Sequence, residues 1–161
     1  MNKRLILFFG IVIGVIGLDL ITKELAVKYL SDIERIIIIP NYFDLTLVWN
    51  RGAAFGIFGQ APEYIRKLIL IGASSVAAVL TIAYAYFRNA KLSTFELVAL
   101  ALIAGGAIGN LYDRIFIGKV RDFLDVHIYS HHWPAFNIAD SAITIGIGLF
   151  VVYELFFKKR S

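Results

Sequence analysis

Four stretches of the chain stay apolar for the length of a bilayer crossing, and polar residues gather between them. The first runs from Leu5 to about Thr22 and is broken only by Asp19; the second runs from about Ile65 to Phe87, with Arg66 and Lys67 at its entrance. The third runs from about Thr94 to Tyr112 and the fourth from about Ala139 to Phe157. A hydrocarbon core of about 30 Å takes roughly 20 helical residues, so each stretch predicts a membrane-spanning helix. The segment between the first two has a different rhythm. Ile36 to Ile39 ends at Pro40, and Tyr42 to Trp49 mixes β-branched and aromatic residues with Asp44 and Thr46 in partial alternation. That pattern predicts short strands with a turn at Pro40–Asn41. Gly52, Gly56 and Gly59 then surround Phe55 and Phe58, a composition that lets backbone lie close to another surface.

The expected fold is an all-α membrane protein, with four transmembrane helices and a small extracytoplasmic β-sheet, over Ile36 to Phe58, between the first and second helices. Residues 1–161 read as a single domain, without internal repeats or low-complexity tracts. Composition agrees: 59% of residues are hydrophobic and 17% charged, outside the range of a soluble domain of this length.

Charge sets the orientation. Lys3 and Arg4, Arg88 and Lys91, and Lys158 to Arg160 flank the spans with no acid among them, whereas acids offset bases in Lys23 to Glu63 and in Arg114 to Ile138. Short cytoplasmic segments carry the excess of Lys and Arg, so both termini are expected on the cytoplasmic side. The formal net charge of +4 is then a topology signal, and with no basic stripe interleaved with aromatics it gives no reason to expect nucleic acid. Trp49, Trp133 and Phe136 stand where interfacial anchors would. The basic start and apolar run also resemble a secretory signal peptide. No small-x-small site follows, and Asp19 and Lys23 occupy its place, so an uncleaved first helix is expected. Cys is absent, which removes thiol nucleophiles, thiolate metal sites and disulfides.

Ionisable groups near or inside the spans carry the chemistry, because burying a charge there is costly unless it is compensated. Asp19, Asp113 and Asp140 stand out, and Asp122 joins them through the segment that connects the third and fourth spans. Two carboxylates at one water-accessible edge of a bilayer are what general acid/base hydrolysis of a peptide bond requires: one takes a proton from water, the other donates one to the carbonyl oxygen. Each acid also has a structural reading. Asp140 suits the first turn of a helix. Asp113, at a helix C-terminus, has Arg114 beside it as an ion-pair partner. Asp19 and Lys23, four apart, form a stabilising pair at the lip of the first helix. Asp122 could be a solvated loop acid, and spacing alone leaves Asp113 and Asp122 equal.

The other motifs carry less. His127, His131 and His132 could hold a metal only on a helix, and Tyr129, Ser130 and Pro134 predict a loop there. Ser74 and Ser75 sit mid-span without a lysine at their depth and read as helix-packing residues, as do Gly105, Gly106 and Gly109.

Five blocks in order resemble the lipoprotein signal peptidases, the signal peptidase II or prolipoprotein signal peptidase family. They are Asp19-Leu-Ile-Thr-Lys23, Asn50-Arg-Gly-Ala-Ala-Phe-Gly56, Gly105-Gly-Ala-Ile-Gly-Asn110-Leu-Tyr-Asp113-Arg114, Val120-Arg-Asp122-Phe123 and Phe136-Asn137-Ile-Ala-Asp140-Ser-Ala-Ile143. The resemblance covers essentially the whole chain. It implies a membrane aspartic endopeptidase that removes signal peptides from bacterial prolipoproteins by cutting before the diacylglyceryl-modified cysteine of the lipobox, with no metal or other cofactor. It further implies Asp122 and Asp140 as the catalytic pair, and Asn50 and Arg114 as contacts to the substrate backbone. Gly52 would let the first external segment approach lipid and peptide, while Asn110, Asp113 and Asn137 hold the site and Asp19 with Lys23 supports its edge. The expected partners are diacylglyceryl-modified prolipoproteins and membrane lipids, around a monomer in the bacterial cytoplasmic membrane with its site at the extracytoplasmic face. A small multi-pass transporter or membrane assembly factor is the alternative from another class. A serine peptidase lacks a placed Ser and Lys pair.

Overall fold

A computed structural model describes residues 3–52 and 62–157. In chain order it holds α1 (Lys3–Leu30), β1 (Ile36–Ile39), β2 (Phe43–Asn50), α2 (Glu63–Arg88), α3 (Thr94–Tyr112), β3 (Val120–Ile128), β4 (His131–His132) and α4 (Ile138–Val152). α3 and α4 each run on into a π-helical turn, Asp113–Ile117 and Tyr153–Phe157. Among the described residues four helices are long and apolar enough to cross a membrane. Phe55, Gly56, Phe58 and Gly59, and the basic residues Lys158 to Arg160, lie outside the described residues.

α3 is the central helix. α1, α2 and α4 all pack on it, and its own residues are far more buried than theirs. The reason lies in its small side chains, because Gly and Ala let backbones approach closely where no hydrophobic effect drives helices together. A Cβ placed on Gly106 would lie 2.4 Å from the carbonyl oxygen of Ala139, and one on Gly105 would lie 2.7 Å from Cβ of Val15. Gly106→Ala is therefore expected to destabilise the bundle by about 1–3 kcal/mol, the usual range for overpacking. Gly72→Ala, with nothing within 4 Å of the new Cβ, should leave the thermal midpoint in detergent unchanged or slightly raised. Large apolar side chains on the outer helix faces, such as Ile13, Leu68 and Phe87, remain exposed to what would be lipid.

At one end of the bundle the chain turns tightly from α2 into α3. Ser93 caps α3 in a reciprocal capping box with Glu96, and the Arg4 guanidinium donates to the carbonyl of Leu92. At the other end lies the sheet. α1 outlasts its apolar run by two turns because Ala26 and Leu30 pack against Phe123 beneath that sheet.

The strands run in the order β1-β2-β3-β4, antiparallel throughout. The expected hairpin is present, with Asn41 in the left-handed region (φ 68°) at its turn. The segment between the third and fourth spans departs from the sequence reading. Asp122 lies on β3, not in a loop, opposite Val48 of β2, and His131 and His132 form a short strand after a turn at Tyr129. The sheet is thus built from two connecting segments, α1 to α2 and α3 to α4, which a reading of local alternation in the first could not show.

Candidate active site

Asn137 is the N-cap of α4. Its Oδ1 accepts the backbone N–H of Asp140 at 2.9 Å, and Oδ2 of Asp140 accepts the N–H of Asn137 at 3.3 Å. This ordinary capping box fixes Asp140 in the first turn of the helix. The Asn137 side chain then reaches across to β3, where its Nδ2 donates to Oδ1 of Asp122 at 2.7 Å. One asparagine therefore bridges the two acids. Asn50, at the end of β2, donates to the other oxygen of Asp122 at 2.9 Å, and its own Oδ1 is held by the N–H of Gly52 at 2.9 Å. Asn110 of α3 donates to Oδ1 of Asp140 at 2.7 Å.

Behind this layer lies a second, fully buried one. Lys23 donates to Oδ2 of Asp19 at 2.7 Å and to Oδ1 of Asn110 at 3.0 Å, and its ammonium stands 3.5 Å from Asp113. Asp19 also accepts the N–H of Ala139 at 2.9 Å, which ties α1 to the start of α4. The pair is not at the helix lip as its spacing suggested. Both side chains have no exposed surface, because α1 continues beyond them under the sheet.

Asp113 corrects a second expectation. Its partner is not the adjacent Arg114 but Arg121, which gives it a backbone N–H at 3.0 Å, Nε at 3.2 Å and Nη2 at 2.8 Å. Arg121 also pairs with Glu24 of α1. Arg121 and Glu24 are the residues that sequence reasoning passed over. Alternate residues of a strand face opposite sides, so reading Val120 onward as a strand would have turned Arg121 away from Asp122 and toward the helices. Arg114 is left to donate to Oγ of Ser74 at 3.0 Å, which gives that serine a polar role its mid-span position did not suggest.

Asp122, Asp140, Asn50, Gly52 and Arg114 line one cavity of about 680 Å³, walled on the other side by Trp133 and Phe136. Asn110, Asn137, Asp19, Lys23 and Asp113 stand behind it. The histidines lie apart, at the far end of the sheet: His127 stacks on His132 at 4.4 Å between centroids and stands 3.4 Å from Asp44. Among the described residues no group of three or more His, Cys, Asp or Glu is placed to hold a metal ion.

Burial pushes the carboxyl of Asp122 up from 3.8 to about 6; the hydrogen bond from Asn50 pulls it back, and the charge of Asp140 adds to the rise. A carboxyl with that pKa holds its proton more readily than an exposed one, and the neighbouring Asp140 faces amide donors and a helix N-terminus. Asp122 and Asp140 thus share one cavity wall.

Fold and site together define a multi-pass membrane enzyme of the aspartic-peptidase class. The chain belongs to the signal peptidase II family, whose description, "Signal peptidase (SPase) II", matches residues 11–156. A lipoprotein signal peptidase of Sulfurihydrogenibium sp. (strain YO3AOP1) is 61% identical over 99% of this chain and 98% of its own length. That of Aquifex aeolicus (strain VF5) is 38% identical over 98% of this chain and 91% of its own. Among solved structures, a bacterial membrane enzyme determined by the in meso method at 1.9 Å superposes with a TM-score of 0.80 at 28% identity, covering 94% of both chains.

Proposed function

We propose that this chain is the membrane aspartic endopeptidase that removes signal peptides from prolipoproteins, cutting before the diacylglyceryl-modified cysteine, with Asp122 and Asp140 as the catalytic pair. The observation that carries this reading is the Asn137 bridge, which presents one oxygen-rich wall to a cavity at the sheet end of the bundle. In the reactive form of the site the pair carries one proton, on Asp122, and Asp140 is open to accept one. Water attacks the scissile carbonyl carbon and gives a proton to Asp140, while Asp122 protonates the carbonyl oxygen. Asp140 then returns its proton to the leaving amide nitrogen as the tetrahedral diol collapses, and Asp122 recovers its own from the diol. Arg114 and Asn50 face the same cavity and hold the substrate backbone there, and Gly52 lets the segment that carries it approach lipid and peptide closely. No step calls for a metal or an organic cofactor.

The proposal includes the placement of this site. Lys3, Arg4, Arg88 and Lys91 gather at the end of the bundle away from the sheet, which supports termini in the cytoplasm and a site at the extracytoplasmic face of the cytoplasmic membrane. A lipid-modified substrate would then reach the cavity from within the bilayer. One domain, working as a monomer among membrane lipids, suffices, since all the proposed residues come from one chain. Family membership does not favour the transporter alternative.

The test is incubation of the detergent-purified protein with a diacylglyceryl-modified prolipoprotein and with its unlipidated form, EDTA present. A signal-peptide-sized mass loss from the lipidated form alone is expected. Folded protein that leaves both substrates intact would overturn the reading.

The proton on Asp122 also sets a pH dependence. With its carboxyl raised to about 6, the donor form is full below that value and is lost as pH rises through it, so kcat/KM should fall on the alkaline side. The limb belongs to the pair and not to one residue. Because the hydrogen bond from Asn50 holds the carboxyl down, Asn50→Ala should move the limb to higher pH. A limb that stays fixed in this variant would remove Asn50 from proton control.

A further inference from the structure

Four cations converge on a shallow recess beside the catalytic cavity. Arg51 follows the end of β2, Lys67 stands in the second turn of α2, Arg114 projects from the π-helical turn and Lys119 from the turn into β3; all line the recess, with Leu70 and Ile71 as its apolar floor. The elements sit close, since a Cβ on Gly118 would lie 3.7 Å from Nζ of Lys67. Lys119 is spread over the ring of Trp49, 4.4 Å from its centroid. Among the described residues the ion pair these four make is Lys67 to Glu63, 2.8 Å and largely exposed. Arg114 bonds a neutral hydroxyl. Residues 53–61, which lead from β2 into α2, carry no acid that could balance the cluster.

Arg114 faces the carboxylates of Asp140, Asp122 and Asp113, and Glu63 faces Lys67 and Arg51; Lys67, Arg51 and Lys119 together exceed that one acid, and such an excess attracts an anion. The N-terminus of α2 adds its own positive end. The cluster also lies on the side of the membrane where Lys and Arg are not favoured by topology, so orientation does not explain it. The surface beneath it narrows the choice of anion. Leu68, Ile115 and Phe116 are exposed on the adjoining faces of α2 and the π-helical turn. A cationic recess above an apolar flank matches a head group above its acyl chains.

The recess itself, about 10 Å³, has room for about one water, so we propose that its rim, where these cations meet, binds the phosphodiester head group of an anionic phospholipid of the surrounding bilayer, with its chains along Leu68 and Phe116. The inference rests on the membrane placement proposed above. Asn50, Gly52 and Arg114 line both the recess and the catalytic cavity, so the bound head group meets the site along that edge.

Trp49 reports on the recess directly. The chain has 2 tryptophans, so a Trp133→Phe background leaves Trp49 as the single fluorophore. Asp122→Asn is added to this background, and the protein is titrated in mixed micelles with brominated phosphatidylglycerol or brominated phosphatidylcholine. Quenching by phosphatidylglycerol at several-fold lower concentration is expected. The preference should fall by roughly fivefold for each cation lost in Arg51→Gln and Lys67→Gln. Lys67→Arg should retain it, and each single variant serves where the double variant does not elute as folded protein. Equal quenching by the two lipids would overturn the proposal, as would a preference that survives both substitutions. Displacement of phosphatidylglycerol by inorganic phosphate at matched ionic strength would also overturn it, since that marks a site for free anions. The readout needs no cleavage, so failure of the peptidase assay leaves this result standing, and the reverse.

Discussion

Asp122→Asn and Asp140→Asn are each expected to lower the rate of prolipoprotein cleavage by roughly 10³-fold or more, since each removes a group that must carry a proton in one step. The double variant should be no worse than either single one, because the two act as a unit. Stability should fall by about 1–3 kcal/mol, since the amide keeps an acceptor for Asn137 and fits the same volume but turns its NH2 toward a second donor, Asn50 at Asp122 or Asn110 at Asp140. Cleavage of the lipidated substrate and the thermal midpoint in detergent, measured on the same preparations, check both halves. Asp113→Asn is the informative contrast. Its oxygens are engaged by Arg121 and faced by Lys23, away from the cavity, so the expected loss there is in stability first. Normal turnover by Asp122→Asn or Asp140→Asn would end the proposed mechanism.

The second large effect is expected at Lys23. Its ammonium has no exposed surface, neutralises Asp19 and Asp113, and donates to Asn110, whose amide in turn holds Asp140. Removing one partner of a buried ion pair leaves an uncompensated charge, at a cost of about 3–5 kcal/mol. Lys23→Met should therefore lower the thermal midpoint sharply and reduce cleavage through Asn110. Adding Asp19→Asn should recover part of the stability, because the two substitutions share one interaction. Lys28→Met, on the exposed side of the same helix, should stay within about 0.5 kcal/mol of the parent. If Lys23→Met and Lys28→Met unfold alike, the buried layer does not support the site.

Much of this architecture is legible residue by residue. A helix in hydrocarbon must satisfy every backbone group within itself, so four long apolar runs specify four helices whatever surrounds them. The β1–β2 hairpin is equally local: two runs of β-branched and aromatic residues flank Pro40–Asn41, and Asn41 takes the left-handed conformation the turn needs. The capping box of α4 could also be read in advance, from Asn137 and the acid three residues on. The blocks that resemble signal peptidase II carried the family, and with it the five residues found on one cavity.

What local pattern did not carry is anything set by partners distant in the chain. β3 alternates poorly because both its faces are occupied: Phe123 packs against α1, while Asp122 faces the cavity. Its pairing partner β2 lies some seventy residues earlier, so a loop was the natural reading. The ion pairs were misassigned for the same reason. Arg114 is next to Asp113 in sequence but points to Ser74 on α2, whereas Arg121 returns on the strand to meet Asp113. Charge, apolar length and turn chemistry act over a few residues, and so the sequence by itself determined the helices, their number and the hairpin. Which acids face the cavity depends on how the four helices and the strands of both connecting segments meet, and that only the tertiary structure decided.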